Sequence, residues 1–380
     1  MTMLWWILII LSAGWVAFAY VGYPLGLILL ARLSPRPIRR GDISPAVSII
    51  IAVYNGEKAL RQKLEDTLAL EYSGSLEVIV ASDGSTDDTQ AIAESYASRQ
   101  AADRPVRLVA LDVRAGKEAA QAAAIAEAVG EILIFTDVTA ELEAGSVAAI
   151  VRPFADPTIG CVSSEDRVDS AGGEGAYVRF EMALRRLENE ASTLVGLSGS
   201  FFAIRRELGS PWPTDLASDF RSALEAARRG LRAVTEPQAK ARFRASDDTA
   251  REWNRKVRTV RRGIAVLSAH RDVLHPRYGR AAFSLWGHKV ARFSSPFALV
   301  ILLASSAAAT PSSSLAGLLL LVQLGAYLLG GLSLALPSSV GRFGPARLGG
   351  FFLLVNASML VAWAHHLRGE RAVVWEPTRR

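Results

Sequence analysis

The run ILIFTDVT, Ile132 to Thr139, decides how this chain is read. Its apolar residues end at Thr136-Asp137-Val138-Thr139. A short apolar run without alternation, bounded by polar residues, suits a strand covered on both faces. An acid just past such a strand sits at the carboxyl edge of the sheet, where open α/β sheets take ligands. Asp137 is placed there to hold a cation, which would in turn hold a phosphate. The same aspartate also reads as a strand-end turn residue capping the next helix. This stretch alone does not choose between the two.

Upstream, the same pattern repeats. Val47–Val53 reads as a buried strand ending in Tyr54-Asn55-Gly56-Glu57, followed by a helix with Leu60, Leu64 and Leu68 at helical spacing. Leu76–Ala81 is a second strand, ending in Ser82-Asp83-Gly84-Ser85-Thr86-Asp87-Asp88-Thr89, with a helix to about Arg99. Val106–Leu111 is a third, and an alanine-rich helix runs from Lys117 to Val129. Alternating strands and helices with short connections predict a parallel sheet with right-handed crossovers. All the polar turns then fall on one edge, the expected nucleotide site. Ser85-x-x-Asp88 is a capping-box variant, so Ser85 or Thr86 is expected to cap the helix after it. Asp83 lies outside that role, and its carboxylate can accept from a base N–H or a ribose hydroxyl. Tyr54 suits stacking on a base or plain packing. Lys117 opens a helix, where the macrodipole prefers an acid, so a nearby anion such as a diphosphate explains it. No GxxxxGK[ST] or GxGxxG motif follows a strand.

The chain has 380 residues, 50% of them hydrophobic, which is too long for one ordinary domain and too apolar for a typical soluble protein. Lys and Arg number 43 against 37 Asp and Glu; a net charge of +6 asks for no nucleic-acid partner. Cys161 is the only cysteine, which excludes an internal disulfide and a cysteine-cluster metal site. Leu4 to Leu30 carries no charge and is long enough to span a bilayer. Gly22-Tyr23-Pro24 predicts a kink in it. Arg32, Arg36, Arg39 and Arg40 place its end, and so the middle of the chain, in the cytoplasm. Three further apolar runs follow: Phe293–Ala309, Leu315–Leu336 and Leu348–Leu367. As three spans they put the C-terminus outside, whereas Arg368, Arg371, Arg379 and Arg380 favour the cytoplasm. A re-entrant or interfacial run would reconcile the two.

Together, VSIIIAVYNGE, VIVASDGSTDDT, GK and IFTDVT at these spacings resemble the family 2 glycosyltransferases, over roughly residues 46–263. The flanking spans resemble that family's membrane-integrated polysaccharide synthases, such as those making poly-N-acetylglucosamine, hyaluronan or cellulose. The resemblance implies an α/β domain of the nucleotide-sugar-binding GT-A type, Rossmann-like and cytoplasmic, with transmembrane helices at both ends. It implies donor binding by Ala52, Tyr54, Glu57, Asp83, Lys117 and Asp137. A divalent cation, Mg²⁺ or Mn²⁺, would sit on Asp137 and Thr139. Here Thr139 stands where the family's Asp-x-Asp has its second acid; such a site can lose a carboxylate and keep waters instead.

Downstream, Pro153–Pro157 is a turn, Ile159–Ser164 a strand, and Gly172-Gly173-Glu174-Gly175 a flexible turn. Tyr177 to Leu194 is an amphipathic helix whose Glu181, Arg185, Arg186, Glu188 and Glu190 are expected to form a solvated face. Gly196-Leu197-Ser198-Gly199-Ser200 precedes another strand, and its glycines allow close backbone approach to a ligand. The resemblance places Gly199 and Ser200 beside the acceptor. Asp219 matches the aspartate of the family's Thr-Glu-Asp motif and is implied as the general base, with Ser218 in place of the glutamate. Asp215 competes for that role, and a dipole-favoured acid at a helix start is the plainer reading of Asp219. Arg251, Arg255, Lys256, Arg258, Arg261 and Arg262 form a basic helix; Arg255, Arg258 and Arg262 share one face. The resemblance assigns Arg258 and Arg262 to the acceptor and diphosphate, although the family's tryptophan is absent. The other reading is a basic patch on anionic lipid. Phe283 to Phe293, with His288, Lys289 and Arg292, reads as an interfacial amphipathic helix.

The expected organisation is a transmembrane helix over 1–31, a basic linker over 32–45 and the GT-A domain over 46–240. Basic and interfacial helices follow over 241–292, three transmembrane segments over 293–367 and a basic tail over 368–380. The expected function is a multi-pass glycosyltransferase of the cell (inner or plasma) membrane. It would move a sugar, from a UDP-sugar as first choice, to a growing polysaccharide or glycan, with inversion. Polysaccharide-export proteins are the natural partners. Two alternatives stand: a single transfer to a lipid-linked acceptor, and a non-catalytic nucleotide-binding subunit of an exopolysaccharide system, which the Thr139 and Ser218 departures motivate.

Overall fold

A computed structural model describes residues 2–99, 103–168, 173–243 and 249–370. The first apolar run is helical throughout: α1 (Thr2–Ala17) and α2 (Tyr23–Leu33) are joined by a π turn at Phe18–Gly22. That turn falls at the expected kink, where Pro24 has no N–H to give the helical ladder. The linker that follows has no regular structure up to Ala46.

The α/β part begins with β1 (Val47–Val53), α3 (Glu57–Leu68), β2 (Leu76–Asp83), α4 (Thr89–Ala97), β3 (Val106–Leu111), α5 (Lys117–Glu127) and β4 (Ile132–Asp137). These four strands are parallel in the order β3-β2-β1-β4, as expected. Ala52 lies level with both Ala81 and Asp137, so the chain leaves these strands at a common rim. Every residue of β1 and β2 is buried, which explains the missing alternation.

Beyond β4, where the parallel reading stops, the sheet becomes mixed. The remaining elements are β5 (Glu141–Leu142), α6 (Ser146–Val151), β6 (Ile159–Val168), α7 (Gly173–Ala191), β7 (Phe201–Arg205), α8 (Ser218–Arg228) and β8 (Arg232–Phe243). The eight-stranded sheet continues β4-β7-β6-β8-β5, with β7 antiparallel to both its neighbours. The reason lies in the preceding loop. Ser200 accepts from the Asp137 N–H at 3.1 Å, so β7 starts at the rim where β4 ends and must run the other way. One sheet face buries Ile49, Val78, Ile134 and Phe201. The other buries Ile50, Ile79, Leu133 and Phe135. There Phe135 stacks between Phe202 at 4.8 Å and Trp212 at 5.0 Å.

The C-terminal part consists of α9 (Thr249–Ala269), α10 (Arg280–Ser284), α11 (Ala291–Ala309), α12 (Ser314–Ala335) and α13 (Gly344–Leu367). A π turn, Leu285–Val290, fuses α10 to α11. Among the described residues, four helices are long and apolar enough to cross a membrane: Met3–Leu33, Arg280–Ser312, Ser314–Ala335 and Gly344–Leu367. The separate interfacial helix expected over Phe283 to Phe293 is therefore the opening of the second of these.

Two more expectations are corrected here. Gly173, read as part of a turn, opens α7, while Gly172 lies outside the described residues. The charged face of α7 is solvated only in part: Arg186 and Glu190 are exposed, while Glu181, Arg185 and Glu188 turn inward. Glu188 is fully buried, accepting from Tyr23 Oη at 2.6 Å and facing His288 Nδ1 at 2.6 Å. Glu181 pairs with Arg292 and approaches His288 Nε2 at 3.3 Å, and this arginine holds its pKa below the ordinary carboxylate range against the effect of burial. Only an apolar wall with its own charged residues, α10–α11, made these acids internal. The helix period showed the face but not what it would meet. The side chain of Arg251 and the tail residues Arg371, Arg379 and Arg380 lie outside what the structure describes.

Candidate active site

The rim is built by turns that hold one another. Gly56 N–H donates to Thr89 Oγ1 at 2.9 Å and Glu57 N–H to Asp87 Oδ2 at 3.1 Å, tying the turn after β1 to that after β2. Glu57 in return accepts from Asp88 N–H at 3.4 Å. The α4 cap differs from expectation: Asp87, rather than Ser85 or Thr86, accepts from the Thr89 N–H at 3.1 Å. Ala52 packs between its strand neighbours, 2% exposed. Asp83 is 1% exposed, and its Oδ1 accepts from Ala115 N–H at 2.7 Å and Gly116 N–H at 2.9 Å. It therefore anchors the loop that launches Lys117. That loop passes so close that a Cβ on Gly84 (φ 63°) would lie 2.5 Å from the Arg114 nitrogen. Arg114 covers the Tyr54 ring, its guanidinium carbon 3.9 Å from the ring centre. In this structure the two expected base contacts, Tyr54 and Asp83, thus lie under the loop over residues 113–116.

Beyond the loop opens a cavity of about 550 Å³, lined among others by Lys117, Asp137, Thr139, Gly199, Ser200, Asp219, Arg258 and Arg262. Elements far apart in sequence supply them: the ends of β4 and α5, the loop before β7, the first turn of α8, and α9. Asp215, the competing base, is exposed and outside the cavity lining. Lys117 Nζ donates to Asp137 Oδ1 at 2.5 Å and to the Gly199 carbonyl at 3.0 Å. In this structure its partner is an acid. Burial opposes the charge on Lys117, yet Asp137, with Glu118 and Asp219 behind it, raises its pKa above the usual lysine value. Asp219 leans over the glycine loop: a Cβ on Gly199 would lie 3.1 Å from its Oδ2.

Sequence reading missed several residues. Glu118, 2% exposed, pairs with Arg262 and reaches the Ser218 N–H at 3.4 Å, joining α5, α8 and α9. Arg185, His288, Lys289 and Arg292 also line the cavity, brought there from α7, the π turn and the start of α11. The far wall is Phe293 of α11 with Val355, Ser358 and Met359 of α13.

Among the described residues, no cluster of three His, Cys, Asp or Glu side chains could hold an ion unaided. Asp137 with the Thr139 hydroxyl nevertheless offers two oxygen ligands at the cavity, and Asp137 is partly exposed there. Mg²⁺ is commonly held by one or two carboxylates plus substrate phosphates and waters, so these residues fit an ion that comes with a phosphate-bearing ligand.

Comparison with known proteins agrees with this architecture. The model of a family described as glycosyl transferase family 2 matches residues 48–209. An uncharacterized glycosyltransferase of Rickettsia prowazekii (strain Madrid E) is 48% identical over 62 residues, 16% of this chain and 19% of that protein. An N-acetylglucosaminyltransferase of Rhizobium sp. (strain N33) is 32% identical over 127 residues, 33% of this chain and 27% of that one. The aligned stretch thus spans well under half the length of either relative. Among solved structures, the mannosyltransferase PcManGT from Pyrobaculum calidifontis, in complex with GDP-Man and Mn²⁺, is 26% identical. The alignment covers 96% of this chain and 100% of that one with a TM-score of 0.72.

Proposed function

Given that residues 48–209 form a glycosyl transferase family 2 domain, we propose that the chain is a membrane-bound inverting glycosyltransferase. It moves a sugar from a nucleotide sugar to a hydroxyl of a glycan acceptor. The observation that carries this reading is the convergence of Lys117, Asp137 and Asp219 on one cavity walled by helices long enough to span a bilayer. The basic linker after α2 supports a cytoplasmic catalytic domain. The GDP-Man in the similar mannosyltransferase leaves a guanine nucleotide as open a choice of donor as UDP.

Asp219 takes the proton from the acceptor hydroxyl as its oxygen attacks the anomeric carbon. The new carbon–oxygen bond forms on one face while the bond to the phosphate oxygen breaks on the other, inverting the centre. Lys117 swings its ammonium from Asp137 to the departing diphosphate, whose charge grows as the bond breaks. Asp137 and Thr139 would hold a divalent cation, which supplies further positive charge to the same diphosphate. Arg258 faces the cavity to receive the phosphates, while Arg262 is held by Glu118.

A second reading of the acceptor, as lipid-linked rather than a free polymer, is favoured by the wall of Phe293, Val355 and Met359, which opens the cavity toward apolar helices. The full chain, purified in detergent, should release nucleotide from one of a panel of UDP- and GDP-sugars with Mn²⁺ and a membrane-lipid extract. Asp219→Asn should lower turnover by about 10²- to 10⁴-fold and leave nucleotide affinity intact. Unchanged turnover in that variant, or none in the wild type with any donor, would overturn the reading.

A further inference from the structure

Four basic side chains, Arg185, His288, Lys289 and Arg292, reach the cavity from α7 and the fused α10–α11 helix, and three of them have polar partners. Arg292 pairs with Glu181, His288 sits between Glu181 and Glu188, and Arg185 donates to Ser163 Oγ at 2.6 Å. Lys289 makes no hydrogen bond or ion pair among the described residues. Its ammonium lies 5.1 Å from the centre of the Phe220 ring and leans over the glycine loop, 3.5 Å from where a Cβ on Gly196 would sit. The loop therefore has two ends with different company. At Gly199 stand Asp219 and Lys117, the transfer point; at Gly196 stands Lys289. Three residues of chain reach at most about 10 Å, so an anion on Lys289 lies roughly one or two sugars from the general base. Beside Lys289 the wall turns apolar, through Phe293 and on to Val355 and Met359 of α13.

We propose that Lys289 is the anion-binding residue of the acceptor half of the cavity, and that the acceptor is a phosphate-bearing lipid. Its phosphate docks on the Lys289 ammonium, its apolar chain runs out along α11 and α13, and its sugar hydroxyl reaches Asp219. This deepens the lipid-linked reading and rests on it. Glu181, Glu188 and Asp219 act on Lys289 from a distance, but none pairs with it directly, so its ammonium keeps its donors for an arriving anion, and a charge-assisted contact there adds both affinity and register. The donor's diphosphate has its own cation in Lys117, at the opposite end of the loop. Lys289 thereby selects for the acceptor and leaves the donor unaffected.

Binding to the full chain in detergent tests this, with farnesyl phosphate, farnesol and inorganic phosphate as probes and GDP and UDP with Mn²⁺ as controls. Farnesyl phosphate should bind at least about tenfold more tightly than either farnesol or inorganic phosphate. Lys289→Met should erase that preference, Lys289→Arg should largely keep it, and neither should change nucleotide affinity. Equal binding of farnesol and farnesyl phosphate would overturn the proposal. So would inorganic phosphate matching farnesyl phosphate, or a Lys289→Met variant that loses nucleotide instead of lipid. The arginine variant guards against a methionine variant that fails to fold. If farnesyl phosphate behaves as stated but no donor is turned over, the glycosyltransferase reading fails and the anion site stands. If turnover occurs with a free glycan and no lipid phosphate binds, the reverse holds.

Discussion

On α3 the ammonium of Lys63 is buried, donating to Thr136 Oγ1 at 3.0 Å and to the Ala140 carbonyl at 2.6 Å. Burial lowers its pKa to about 7, although Asp137, Asp66 and Glu141 pull the other way. Between pH 7 and 10 the folded chain has given up a proton that the unfolded chain keeps, so raising the pH there favours folding. Melting temperatures of wild type and Lys63→Met, compared at pH 6.5 and 9, should show wild type gaining about 2–4 °C on the variant. A gap that stays constant would show that Lys63 keeps its charge throughout. The residues legible in the sequence were those that end a strand or open a helix, such as Asp137, Lys117 and Asp219, because position at a rim follows from local pattern. Glu118 was not legible. It looks like a dipole acid in the first turn of α5, and nothing nearby announces Arg262, far along the chain. Lys289 was hidden likewise, since an amphipathic period says which residues share a face and not what faces them.

Two π turns, Phe18–Gly22 and Leu285–Val290, lie where the first long apolar helix meets the second. Tyr23, fully buried just after the first, packs against Gly287 in the second so tightly that a Cβ there would fall 2.0 Å from its ring. Tyr23 also meets Phe283 at 5.3 Å between ring centres and donates to Glu188 on α7. One side chain thus joins both apolar helices to the α/β domain. Gly287→Ala should cost about 1–3 kcal/mol or more by overpacking, read as a lowered melting temperature in detergent, while Gly145→Ala, in open space, should change nothing measurable. Equal melting of the two variants would mean that the helices shift apart freely. Element existence was readable from apolar runs. The direction of β7 was not, because a strand buried on both faces looks the same either way round, and only the return of Ser200 to Asp137 turned it over.

At the scale of the whole molecule, the packing of α13 suggests an answer to the conflict over the C-terminus. The α13 helix has the length and composition of a span, but it stays beside α9. Lys256 lies 4.8 Å over the ring of Phe351, in the first half of α13, and Arg261 meets Glu370 at 3.9 Å just past its end. A helix as basic as α9 stays out of hydrocarbon, so we propose that both ends of α13 lie on the side of the catalytic domain. In a Cys161→Ser background, cysteines at Gln62 and Arg368 should react with an impermeant maleimide from one side of sealed vesicles, and one at Ser312 from the other. Labelling of Arg368→Cys together with Ser312→Cys would instead show α13 crossing. Apolar length alone could not settle this, because it measures what a helix tolerates and not where its neighbours hold it.

The contact between Lys117 and Asp137 bears on the order of events that we propose. With Lys117 on its Oδ1, Asp137 meets an arriving ion as a partly neutralised acid. An ion wrapped in its nucleotide would bring phosphates able to draw the amine away and leave that acid to the metal. Nucleotide and ion would then enter as one body first and the alcohol second, with a rim that closes its own charges between rounds.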